Sequence, residues 1–148
     1  MKKLCMALAI AAAAPAALAD VWVNPGFYSY HLQRDKGFNN VNTGLGFEAP
    51  LSNTYSVTAG FFHNSDRETS RYVGLYAMPV QIGAFKAGAA IGAFDGYPKM
   101  RDGGWFPAVI PTVAFEGSHL GLNVSFIPTV GDKLHGAVTF QLKYKITP

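Results

Sequence analysis

His31, Asn64 and Ser65 are the residues whose types and spacing point to chemistry. Around the histidine, Tyr28, Tyr30 and Leu32 alternate with Ser29, His31 and Gln33, so the second set shares one face of an extended strand. Further along, Tyr55, Val57, Ala59 and Phe61 take one face, and Thr58, Gly60, Phe62 and Asn64 the other. Ser65 opens the loop that follows. If both polar faces line one interior, an imidazole, an amide and a hydroxyl meet near the same rim. An imidazole is a general base near neutral pH, and a serine hydroxyl becomes a nucleophile once a base takes its proton. An amide can orient such a pair or stabilise an oxyanion, but it is not itself a base. The same three side chains also read as a polar plug in a narrow lumen, and spacing alone favours the plug.

Strands must carry these faces. No window keeps a 3.6-residue period; the repeat is two. Residues 137–146 are the clearest case, with Val138, Phe140, Leu142, Tyr144 and Ile146 alternating with Thr139, Gln141, Lys143 and Lys145. Eight such segments follow one another, at 26–33, 41–49, 54–64, 71–80, 85–94, 105–115, 120–127 and 134–146. The number is even, and the lengths are near the ~9–11 residues of a tilted spanning strand. The expectation is an all-β, eight-stranded antiparallel outer-membrane β-barrel. The connections alternate in the same sense. Residues 50–53, 81–84 and 116–119 are short turns, whereas 34–40, 65–70, 95–104 and 128–133 are generally longer and more charged. Short periplasmic turns and longer external loops have that pattern, and a periplasmic N-terminus puts His31 near the external end of the first strand. A soluble lipocalin-like barrel has the opposite faces, apolar inward. Alternation alone does not say which face is out. The export signal, and Lys143 and Lys145 on the polar face, favour the membrane version.

That export signal occupies residues 1–19. Lys2 and Lys3 form its basic start, residues 4–14 its apolar stretch, and Ala17-Leu18-Ala19 its cleavage site, leaving a barrel domain at 20–148. The apolar stretch, broken by Pro15, is too short to span a bilayer. The single cysteine, Cys5, falls within it, so the exported domain has no thiol or disulfide chemistry. Taking Lys2 and Lys3 from the 12 basic residues leaves 10 against 9 acidic ones. So even a balance gives no basis for nucleic-acid binding. No cofactor motif is present. His63, His119 and His135 show no metal-ligand spacing and read as rim or loop residues. A monomer is expected.

Three prolines interrupt strands: Pro107 and Pro111 in the sixth segment, and Pro128 at the end of the seventh. Proline has no N–H for a ladder and is normally confined to edges, strand starts or bulges. In a membrane barrel such gaps amount to lateral lipid access in the outer-leaflet half. The basic residues Arg34, Lys36, Arg67, Lys99, Arg101 and Lys133, with Arg71 at a strand rim, gather in the external loops. They are interleaved with acids, as solvated loops are, but Arg and Lys there also suit the phosphates of a glycolipid. Trp22, Tyr28, Tyr97, Trp105 and Tyr144 fit interfacial aromatic girdles.

These residues resemble the lipid A palmitoyltransferase (PagP) family of eight-stranded outer-membrane barrels. Pro107-Ala108-Val109-Ile110-Pro111, followed by Phe126-Ile127-Pro128, is similar to that family's proline-bracketed strand and its later aromatic-Ile-Pro. Tyr30-His31, Phe38-Asn39, Gly44-Leu45-Gly46 and Phe62-His63-Asn64-Ser65 resemble further family segments in the same order. The resemblance spans most of the exported domain, through short motifs. It implies an acyltransferase that moves an acyl chain from a phospholipid donor in the outer leaflet to a hydroxyl of a lipid A acceptor, with the chain held inside the barrel. It also implies His31 and Ser65 as catalytic residues, and it puts Asn64 where the family has an aspartate. Asp66 and Glu68 are the carboxylates next to that position. Tyr76 falls near the family's glycine at the acyl-pocket floor, which implies a shortened pocket. Only about six residues precede the first expected strand, leaving no room for the family's N-terminal helix.

Two other readings remain open. His63-x-Ser65, followed by Glu68, is similar to the His-x-Ser pattern of lipid A deacylase barrels, although His63 has the lipid-facing parity. The barrel also reads as a non-catalytic outer-membrane protein with a structural or binding role.

Overall fold

The computed structural model describes residues 20–146; the signal peptide read at 1–19, with cleavage after Ala19, lies outside the described residues. Eight strands follow in order: β1 (Trp22–His31), β2 (Val41–Pro50), β3 (Tyr55–His63), β4 (Thr69–Ile82), β5 (Phe85–Phe94), β6 (Phe106–Glu116), β7 (Leu120–Ile127) and β8 (Ala137–Lys145). Each pairs antiparallel with its sequence neighbours, and β8 returns to β1 to close the barrel. The connections keep the expected asymmetry, with tight turns at 51–54, 83–84 and 117–119 on one side.

β5 and β7 have the bounds that alternation predicts. β1 begins earlier than expected, because Pro25 hides the start of the pattern. The proline sits at a register shift between Asn24 and Gly26, and Gly26 takes φ 98°, so the irregularity is absorbed as a bulge. β8 begins later, at Ala137. Residues 134–136 stay in the loop, where Leu134 pairs back onto Val130.

The two faces are inverted relative to a soluble barrel. Tyr28, Tyr30, Phe47, Val57, Phe61, Val73, Val109, Phe126, Phe140 and Leu142 all stand exposed on the outside. Asn24, Ser29, Asn42, Glu48, Thr58, Thr112, Asn123, Thr139 and Lys143 are buried in the lumen. Apolar residues out and polar residues in is the arrangement that lipid, not water, stabilises. Two residues assigned to the girdles are corrected. Trp22 is buried inside, where its ring carries the ammonium groups of Lys143 and Lys145 at 4.8 and 5.0 Å. Tyr97 turns into the external mouth and packs edge-on against Phe106. Trp22 shares the inward face of Asn24 because the bulge at Pro25 shifts the parity of β1, and Tyr97 lies in a loop, which is not held to the pleat.

Close packing of the lumen depends on two glycines. A Cβ on Gly46 would lie 2.0 Å from the Tyr72 hydroxyl, and one on Gly60 2.7 Å from it. The phenol therefore lies flat across β2 and β3 where any side chain would block it.

The ladder is uneven around the ring. β5 and β6 pair without a break from Phe85↔Phe115 to Phe94↔Phe106, straight through Pro107 and Pro111. β6 and β7 pair only from Glu116↔Gly121 to Thr112↔Ser125, stopping one residue short of Pro111. β7 nevertheless continues to Ile127, paired with β8. The outer half of the β6–β7 seam, bounded by Pro107, Pro111 and the exposed Pro128, is thus unpaired, because proline supplies no donor to continue it.

The half of the lumen beside the tight turns is closed by charge. The Lys143 ammonium is buried and bonds Glu48 at 2.9 and 3.1 Å and Glu116 at 2.7 Å, while Lys86 holds the other Glu116 oxygen at 2.8 Å. Asn123 joins this cluster to Gln141 at 3.1 Å and to Glu48 at 3.3 Å. A cavity beside Glu48, Lys86, Glu116 and Asn123 has about 10 Å³, at the lower limit of the ~10–15 Å³ that admits one water.

Candidate active site at the external mouth

β1 delivers His31 inward at its external end, as the Ser29–His31 parity requires. β3 ends at His63, and the chain turns so that Ser65 comes back over the mouth. The two side chains meet: Ser65 Oγ lies 2.8 Å from His31 Nε2. The other ring nitrogen, Nδ1, lies 2.7 Å from Asn40 Oδ1. That carbonyl oxygen can only accept, so the proton of the neutral ring sits on Nδ1 and leaves Nε2 as the acceptor for the serine hydroxyl. The result is a Ser65–His31–Asn40 relay with a base oriented from behind and aimed at a nucleophile. Neutral asparagine fills the third place in some natural relays of this kind.

Asn64, expected in that third place, has a different job. It is fully buried, and both ends of its amide are committed to the loop. Its Oδ1 accepts from the backbone N–H of Asp66 and Glu68 at 2.9 and 3.0 Å. Its Nδ2 donates to Ser70 Oγ and to the Gly96 carbonyl, both at 2.9 Å. Asn64 therefore shapes the turn that presents Ser65 and ties it to the β5–β6 loop. The expectation that it touches the reacting groups is corrected: an asparagine capping its own turn has no atoms left for His31. Neither Asp66 nor Glu68 replaces it, since both nitrogens of His31 are already partnered.

Sequence reasoning missed Asn40. It lies in the β1–β2 loop, where periodicity gives no guidance. A signal was nonetheless present. Asn42 points inward from β2 and is buried, and Asn40, two residues earlier, extends the same face. The Asn40 carbonyl also accepts from the Ser29 N–H at 2.8 Å, which holds the residue against β1.

His31 and Ser65 open into a cavity of about 60 Å³, lined also by Phe27, Phe38, Tyr97 and Phe106. Ala108 and Ile110 of β6 and Ile127 of β7 complete one wall. That wall is the unpaired stretch of the β6–β7 seam. A second cavity of about 80 Å³ continues below, sharing Phe27, Phe94, Ile110 and Thr139 with the first. Tyr76 lines this lower cavity, and its hydroxyl lies 3.4 Å from Asn123 at the top of the ionic cluster. The mouth and the lower cavity are thus apolar-walled, with the relay at the upper end and Tyr76 at the lower.

The remaining expected residues fall as follows. His63 stands exposed on the outward parity of β3 and shares no hydrogen bond with Ser65 among the described residues. Arg71 is not free for a phosphate: its guanidinium and backbone N–H both hold Asp95, and its head stacks over Trp105 at 5.4 Å. Burial alone would push the Asp95 carboxyl up, but the hydrogen bonds and charge of Arg71 outweigh burial and hold it below the usual carboxylate range. Burial pushes the Tyr97 phenol well above its ordinary range, and the charge of Asp66 adds to the effect.

No family model and no curated protein matches the chain. Among solved structures it is similar to the solution NMR structure of the de novo designed TMB2.3, with a TM-score of 0.61 and 17% identity over 88% of this chain and 96% of that one. The two share a fold, that of a small transmembrane β-barrel.

Proposed function

We propose that this barrel is an outer-membrane acyltransferase that takes an acyl chain from a phospholipid and transfers it to a hydroxyl of lipid A. The observation that carries the reading is the Ser65–His31–Asn40 relay, which faces an apolar cavity whose wall is the unpaired β6–β7 seam. A hydrolase working on soluble esters has no use for a nucleophile reached sideways from lipid.

The geometry suits a two-step transfer. Ser65 Oγ attacks the donor ester carbonyl while His31 Nε2 takes the serine proton, and the tetrahedral intermediate collapses by expelling the lysophospholipid oxygen. That oxygen leaves with the proton from Nε2, and the acyl group stays on Ser65. The acceptor hydroxyl then gives its proton to Nε2 and attacks the acyl-serine, which restores Ser65. Asn40 keeps the ring in the tautomer that both steps need. The acyl chain lies in the two cavities below, with Tyr76 limiting how far it descends. Asn64 acts on the reaction only through the loop it holds.

Mass spectrometry of lipid A from cells with and without the protein tests this. A species heavier by one acyl chain should appear with the protein and vanish with His31→Ala or Ser65→Ala. Unchanged lipid A in cells that make folded barrel overturns the reading. Loss of an acyl chain instead, dependent on His63, supports a deacylase.

A further inference from the structure

The mouth carries two opposite charges that do not use each other. Lys133, from the loop between β7 and β8, and Asp66, from the loop between β3 and β4, line the same cavity as Ser65. Neither forms an ion pair among the described residues, although Lys143, Lys145, Lys86 and Arg71 all do. An acid and a base that share a cavity and stay apart leave room for something carrying both signs.

Each has neighbours in the cavity wall. Beside Lys133, His135 lines the same cavity, with Nδ1 at 2.9 Å from Gln33 Oε1. That contact puts the proton of the neutral ring on Nδ1, as Asn40 does for His31, so Nε2 is an acceptor and gives a phosphate oxygen no hydrogen bond. Phe38 lies between the two imidazoles, 4.9 Å from His31 and 4.4 Å from His135, and holds both rings in place. Beside Asp66 stands the ring of Tyr97, also in the cavity wall. A carboxylate next to an aromatic face is a site for an ammonium group. A lysine ammonium is a site for a phosphate oxygen.

We infer that the external mouth recognises a zwitterionic phospholipid head group, with its phosphodiester on Lys133 and its ammonium on Asp66 and Tyr97. The loop bearing Lys133 and His135 follows β7 directly, so the phosphate half of the site overhangs the seam that a lipid would pass. In a glycerophospholipid the phosphodiester and the acyl esters leave the same three-carbon backbone. A head group held there therefore brings an ester to Ser65. The inference makes a zwitterionic lipid the preferred donor for the proposed reaction, but head-group binding itself needs no turnover.

The test uses the exported barrel carrying Ser65→Ala, in micelles of an uncharged glucoside detergent. Short-chain phosphatidylethanolamine and phosphatidylglycerol are titrated and binding is followed by amide NMR shifts. Heat-modifiable gel mobility confirms that every variant is folded. The zwitterionic lipid should bind about tenfold more tightly than the anionic one. Asp66→Asn should remove that preference by weakening only the zwitterionic lipid, whereas Lys133→Ala should weaken both about tenfold. Equal affinity for the two lipids, or an Asp66→Asn effect that is the same for both, overturns the inference. Because the nucleophile is absent throughout, head-group selectivity can stand or fall independently of acyl transfer to lipid A.

Discussion

At His31 both ring nitrogens are occupied, and by partners of different kinds. Nε2 faces a hydroxyl that can give a proton, and Nδ1 faces an oxygen that cannot. A neutral Asn40 fixes the tautomer but does little for the imidazolium formed when Ser65 loses its proton. Replacing it with a carboxylate adds a charge-assisted partner to that cation. Asn40→Asp should therefore raise acyl transfer about tenfold, and Asn40→Ala should lower it about 10²-fold; turnover of a phospholipid donor by the reconstituted barrel measures both. Asn40 also marks where the sequence stops being legible at this scale. His31, Ser65 and the inward parity of Asn64 could be read from alternation, because strand residues obey the pleat. Which amide reaches His31 depends on how two loops fold over the mouth, and neither loop has a period. Tyr97 escaped for the same reason, and Trp22 because the bulge at Pro25 shifts the parity of β1.

Strand count and the positions of the interrupting prolines were readable, because each rests on local chemistry repeated along the chain; which face is out was read from the export signal and the two lysines on the polar face. The β1 start and the β8 start were not. Pro25 and Gly26 broke the pattern within a strand, and residues 134–136 continued it beyond one. At the element scale the seam between β6 and β7 is the feature with consequences. Pairing ends at Thr112, where Thr112 Oγ1 and Ser125 Oγ meet at 2.9 Å as the last cross-strand contact. Pro107→Val with Pro111→Val restores two N–H donors to β6. If they extend the ladder, the barrel should gain about 1–3 kcal/mol, taking ~0.5–1.5 kcal/mol net for each bond. Urea unfolding and slowed amide exchange along the outer half of β7 would register this gain. The same variant should transfer acyl chains more slowly, since the wall of the catalytic cavity is the stretch being sealed. A faster or unchanged rate in the more stable barrel would dissociate the seam from lipid entry.

Across the whole molecule, the lumen has two unlike halves. The external half is apolar-walled and holds the relay. The half beside the tight turns is filled by Lys143, Glu48, Glu116 and Lys86, with Trp22 packed over the lysine. Removing one member of a buried charge cluster leaves its partners uncompensated, at a cost of about 3–5 kcal/mol. Lys143→Met should therefore lower the urea midpoint of the barrel sharply, and adding Glu48→Gln, which leaves Glu116 paired with Lys86, should recover most of the loss. A fall that the added change does not reverse would mean that packing, and not charge, holds this half together. The filled half also governs what the barrel does to the membrane around it. The Lys143 side chain bonds those of Glu48 and Glu116 across this end of the lumen, and the cavity beside them has about 10 Å³. The molecule is a cup, open at its rim and through a slit in its side. Reconstituted in a planar bilayer, such a barrel should carry no steady ion current, and a persistent conductance would show that this end is open.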